Sequence, residues 1–133
     1  MRSLPKHTYT NKGKAIVVII ALFVGLMHFV IGPNYRGPYK DFMIGYLIDI
    51  ILPVSLYLLF HLSLQQKLPL NISRFTSASV VMAIGIMVET LQYFGVQIFG
   101  NTFDPFDFLM YALGVFIGWV IDITVLKHFM IQK

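Results

Sequence analysis

Four apolar runs, each about as long as a bilayer is thick, constrain this chain more than any other feature. They cover Ala15 to Ile31, Phe42 to Leu62, Phe75 to Phe99 and Phe106 to Leu126. At about 1.5 Å of rise per residue, each run crosses or nearly crosses a hydrocarbon core of roughly 30 Å. Lipid offers backbone amides no hydrogen bonds, so such runs close their own ladder and are read as helices. With 57% hydrophobic and 12% charged residues, the chain has too little polar surface to coat a soluble core. The expectation is all-α: a polytopic membrane bundle of four transmembrane helices.

The segments between the runs set the organisation. Residues 1–14 form a basic tail, 15–126 the four-helix membrane domain and 127–133 a short second tail. The connectors carry helix breakers, Gly32, Pro33, Gly37 and Pro38 first, then Pro69 and Asn71, then Gly100 and Pro105. None has room for a soluble domain. The first run follows a basic segment but lacks a small-x-small cleavage pattern, so it reads as a retained span. Arg2, Lys6, Lys12, Lys14, Lys67, Arg74, Lys127 and Lys133 fall on one side of a four-span chain, against Arg36 and Lys40 on the other. The positive-inside bias then puts both termini in the cytoplasm. The basic residues are dispersed, which points to a lipid bilayer surface and not to nucleic acid. The chain has no cysteine, so disulfides and thiolate metal sites are excluded. Asn71-Ile72-Ser73 matches a glycosylation sequon, but this topology places it in the cytoplasm and makes the match fortuitous.

All six acidic residues, Asp41, Asp49, Glu89, Asp104, Asp107 and Asp122, lie outside the basic tail. A carboxylate at mid-bilayer costs about 2.5–3.5 kcal/mol on insertion scales, so such groups face a bundle interior and have a partner or a task. Counting from the midpoint of each run puts Asp49 about 4–5 Å, Glu89 about 3 Å, and Gln92 and His28 about 7–8 Å toward the outside. Asp104 and Asp107 open the fourth helix at the same boundary, and Arg36, Lys40 and Asp41 occupy the first outer connector. Glu89 shares a helix face with Gln92 and with Gly85, while Asp107, Tyr111, Gly114 and Gly118 form one stripe. The glycines of that stripe suit close helix packing or a homodimer. Asp104, followed by Pro105, reads as a helix cap. Arg36 has the guanidinium geometry that clamps carboxylate or phosphate. Pro53 frees a carbonyl near Asp49. His28 reads as a packing or interfacial residue, and His7, His61 and His128 as bystanders near the membrane ends. Asp122, about 9 Å toward the cytoplasm, is expected to reach water or Lys127.

Glu89-Thr90-Leu91-Gln92, followed by Phe103-Asp104-Pro105-Phe106-Asp107, Tyr111 and Gly114-x-x-x-Gly118, resembles the VanZ-like family. Arg36 followed by Asp41 or Asp49 looks like that family's first half. The resemblance runs from Arg36 to Asp122 and implies a small multi-pass membrane protein, linked in some members to glycopeptide tolerance, with no agreed reaction. A shared scaffold does not by itself carry a shared activity. The expected site is a polar cluster of Arg36, Asp41, Asp49, Glu89, Gln92, Asp104, Asp107 and Tyr111, with Gly85, Gly114 and Gly118 in helix packing. The leading expectation is binding of an anionic amphiphile or lipid-linked ligand at the outer leaflet, without cofactor or resident metal. One alternative is an intramembrane enzyme acting on lipid-linked cell-wall precursors, with a carboxyl as general acid or base or with Mg²⁺ on Asp49, Glu89 and Asp107. No nucleophile motif, Gly-rich phosphate loop or H-E-x-x-H accompanies it. A second alternative is a proton-coupled transporter working as a dimer.

Overall fold

The computed structural model describes residues 7–32, 34–97 and 103–132. Its four long helices are α1 (Asn11–Val30), α2 (Lys40–Leu64), α3 (Leu70–Tyr93) and α4 (Phe106–Thr124). Each is long and apolar enough to cross a membrane. Two short strands, β1 (His7–Tyr9) before α1 and β2 (Met130–Gln132) after α4, pair antiparallel with His7 opposite Gln132. That pairing brings residues 7–9 and 130–132 to one end of the bundle, as an even number of spans requires.

Helix boundaries follow capping chemistry more closely than they follow hydropathy. α1 starts four residues ahead of its apolar run because the Thr10 hydroxyl accepts a hydrogen bond from Gly13 N at 3.3 Å. α3 begins at Leu70, directly after Pro69, and ends at Tyr93, with Gly95 in the left-handed region at φ 82°. The sequence reading placed this span at 75–99. The structure moves its start back by a turn, so Asn71, Ser73 and Arg74 belong to a helix and not to a connector. α2 opens with Lys40–Phe42, passes through a short π-helical stretch, Met43–Leu47, and carries Pro53 in its interior. Proline has no amide hydrogen, so the Asp49 carbonyl loses its i+4 partner. Both irregularities flank Asp49, in the segment that faces α4.

α2 is the hub of the bundle, in contact with α1, α3 and α4, and its seam with α4 is the most extensive. Val17, Val54, Tyr57, Leu58, Val81, Val115 and Leu126 form the buried core. α1 packs chiefly on α2 and turns Ile19, Leu22, Phe23, Leu26 and Phe29 outward, each more than half exposed. Water would make that face an aggregation surface, whereas lipid solvates it. At the α2–α4 seam, Gly114 lies against the Ile50 carbonyl and Gly118 against the Tyr57 ring. The glycine stripe is therefore filled by α2 of the same chain.

Candidate functional site

The buried polar groups fall into two layers, one toward each end of the bundle. The first lies away from the termini and joins three helices, with Asp49 on α2, Glu89 on α3, and Asp107 and Tyr111 on α4. Glu89 is fully buried, and its Oε1 accepts a hydrogen bond from the Tyr111 hydroxyl at 3.0 Å. Local sequence explains the reach. Gly85 stands one turn from Glu89, and a Cβ there would come within 2.6 Å of the Tyr111 ring. The absent side chain lets the ring cross α3 and present its hydroxyl to the carboxylate. Asp107 lies one turn from Tyr111 on the same face, and its side chain contacts Glu89. The Asp49 side chain reaches both Asp107 and Tyr111.

This layer is acidic and incompletely satisfied. Glu89 Oε2 and Asp107 Oδ1 are buried without a hydrogen-bond partner. Among the described residues, no Lys, Arg or His forms an ion pair with Asp49, Glu89 or Asp107. Nor, among those residues, do three His, Cys, Asp or Glu side chains stand in a metal-ligating arrangement. Three carboxyl groups in contact within a low-dielectric bundle need positive charge or hydrogen-bond donors between them. A proton, or a donor group on a ligand, meets that need.

The remaining predicted residues take separate places. Asp104 caps α4, accepting from Phe106 N at 2.9 Å, and also accepts from the Tyr46 hydroxyl of α2 at 3.0 Å. Gln92 is half-buried, one turn from Glu89. Arg36 and Asp41 are exposed in the connector region before and at the start of α2. They lie outside the carboxyl layer and can act only at its approach.

The second layer, at the termini end, was not foreseen. Asp122 is fully buried and accepts from Arg74 Nε at 2.6 Å and from the Tyr9 hydroxyl. Its Oδ1 also lies 3.5 Å from His61 Nε2, too far for a strong hydrogen bond. His61 Nδ1 bonds the Ser73 hydroxyl at 2.8 Å, and the His61 ring stacks on Tyr57. Burial, followed by the neighbouring Asp122 charge, raises the Tyr9 phenol above its ordinary pKa and keeps it a proton donor to the carboxylate. Asp122 thus faces Arg74 and not water or Lys127, and His61 is an interior residue and not a bystander. Ser73, His61 and Asp122 are the residue types of a nucleophilic relay, yet all three are fully buried. They act as a tie between α2, α3 and α4. One sequence signal pointed here, since Asp122 continues the stripe of Asp107, Tyr111, Gly114 and Gly118 one turn further.

Set against protein-family models, curated proteins and solved structures, the chain matches none.

Proposed function

We propose that the chain is a VanZ-like integral membrane protein of the bacterial cell envelope whose carboxyl layer forms the floor of a binding site open to the outer leaflet. Its ligand is an amphiphilic or lipid-linked molecule. The anionic part rests on Arg36 and Lys40 at the membrane boundary, and its hydroxyl, amide or amine donors point down toward Asp49 and Asp107, with Glu89 behind them. The observation that carries this reading is the fully buried Glu89, whose Oε2 has no donor while its neighbours Asp107 and Asp49 are acids too. Leaving a buried acceptor unsatisfied costs about 1–3 kcal/mol, more when it is charged, so a ligand that supplies donors gains at least that much. The family resemblance supports the envelope setting and suggests glycopeptide tolerance as the phenotype to measure.

The test compares cells carrying wild-type protein with cells carrying Glu89→Gln or Arg36→Ala, each checked for membrane insertion. Both variants are expected to lose most of any tolerance that the wild type confers to glycopeptides or other envelope-active compounds. Wild-type tolerance from both inserted variants would remove the basis for this reading.

Orientation is tested separately, and the lack of native cysteine makes the experiment direct. Asn34→Cys, in the exposed first connector, is expected to react with an impermeant maleimide on intact cells. Gln66→Cys, exposed at the opposite end, is expected to react only after the membrane is opened. The reverse pattern would put the carboxyl layer on the cytoplasmic side and end the outer-leaflet assignment.

The second layer bears on the transporter alternative, because it places Asp122 and His61 in the half of the bundle opposite Glu89. A proton path would link the two layers. Proton uptake into vesicles reconstituted with the protein, abolished by Glu89→Gln, would favour that reading over ligand binding.

A further inference from the structure

A cavity of about 370 Å³ opens at the termini end, away from the carboxyl layer. His7, Leu70, Arg74, Lys127, Met130 and Gln132 line it. Among the described residues, no acidic side chain is among its walls. Arg74 binds Asp122 through Nε alone, at 2.6 Å, and its side chain remains partly exposed. A guanidinium has five N–H donors, so the Nη groups are left to serve the cavity. Lys127 adds an ammonium from the 3₁₀ turn after α4, and His7 on β1 lines the same cavity.

The backbone contributes as well. α3 is 24 residues long and starts at this wall with Leu70. Pro69, at its N-cap, gives no side-chain cap, and the first turn holds no acid. The first bond of the ladder runs from Ser73 N to Pro69 O at 2.8 Å, so the amides of Leu70, Asn71 and Ile72 precede it. The positive end of a long helix therefore meets two basic side chains at a cavity mouth. Leu70 and Met130 give the same cavity apolar walls, which the first methylenes of an acyl chain would cover.

We propose that this cavity binds a phosphate group, and that its source is the headgroup of an anionic phospholipid in the leaflet facing the termini. Guanidinium and ammonium donors with helix amides suit a phosphate, and the leucine and methionine walls suit the chain attached to it. The site lies at the other end of the bundle from the proposed ligand site and stands independently of it.

The test uses the full-length chain in phosphatidylcholine nanodiscs doped with phosphatidylglycerol, with retained lipid counted by native mass spectrometry and thermal unfolding followed in parallel. Wild type is expected to retain phosphatidylglycerol over phosphatidylcholine. Lys127→Ala is expected to weaken that retention about fivefold, the loss expected of one direct hydrogen-bond donor to the phosphate. His7→Ala provides a second lesion in the cavity should Lys127→Ala unfold. Lys67→Ala removes an exposed charge at the same end but outside the cavity, and is expected to leave retention unchanged. The site is overturned if wild type shows no preference, or if Lys67→Ala costs as much as Lys127→Ala. Inorganic phosphate at millimolar concentration is expected to have no effect. If it displaces the lipid and stabilises wild type but not Lys127→Ala, the phosphate site stands and its lipid source is overturned.

Discussion

Arg74→Ala is expected to destabilise the protein by about 3–5 kcal/mol, the loss typical of stranding one member of a buried ion pair. Asp122 is fully buried, and its Oδ2 faces Arg74 Nε at 2.6 Å. Removing the guanidinium leaves a carboxylate with only the Tyr9 hydroxyl and a distant His61 imidazole for company. Arg74 is on α3 and Asp122 on α4, while Tyr9 belongs to the strand that joins the two chain ends, so the loss falls on contacts between distant segments. Asp122→Asn in the Arg74→Ala background is expected to recover more than half of the stability, because the amide has no charge to strand and can still accept from Tyr9. Equilibrium unfolding of the reconstituted proteins, arranged as a double-mutant cycle, measures the coupling. Simple addition of the two single-variant effects would show that the pair does not act as a unit.

The two layers differ in charge balance, and that difference separates their roles. Asp122 has a cation and a tyrosine hydroxyl bonded to it, as a group retained to fix helix positions should. Both layers hold buried polar atoms without hydrogen-bond partners, Tyr57 Oη, His61 Nε2 and the Gln65 amide in one and Glu89 Oε2 and Asp107 Oδ1 in the other. Only the layer of Asp49, Glu89 and Asp107 has no cation among the described residues, an arrangement that costs stability unless something occupies it. Buried acidity without a neighbouring cation is what a binding or proton-handling site retains. The apolar belt of Val54, Leu58, Val81 and Val115 belongs to the core between them.

How much of this was legible in the sequence follows from the physics of each element. The four spans were legible because lipid demands long uninterrupted apolar runs. Their ends were not, because Thr10, Pro69 and Gly95 set them through capping and backbone geometry, which hydropathy does not register. The spacing of Gly85 with Glu89, and of Asp107 with Tyr111, put those residues on shared faces, and the structure turns the two faces together. It did not show that Arg36 and Asp41 stay outside, since depth along the membrane normal says nothing about position in its plane. The second layer was missed because His61 and Asp122 lie near the ends of their runs, where a polar residue ordinarily meets water. Here the pairing of residues 7–9 with 130–132 accompanies their burial, and a three-residue strand pair between chain ends leaves no pattern in either segment.

Gly114 is the single position through which packing and the carboxyl layer are most directly linked, and Gly114→Val is expected to disrupt both. A Cβ at Gly114 would collide with the Ile50 carbonyl oxygen and lie 3.0 Å from Pro53 Cβ. Neither neighbour can rotate aside, since one is helix backbone and the other a proline ring. α2 and α4 must therefore separate, at a cost of about 1–3 kcal/mol for overpacking and more where the obstacle is backbone. Asp49 immediately precedes Ile50, and Asp107 lies two turns before Gly114, so the separation pulls one carboxyl away from the other. Gly25→Val supplies the control, because no atom stands within 4 Å of a Cβ there. Lowered unfolding stability and loss of the Glu89-dependent phenotype are expected for Gly114→Val, with both retained in Gly25→Val. A Gly114→Val protein that unfolds like wild type would mean that the two helices can move apart freely, and the carboxyl layer would then not be held by their contact.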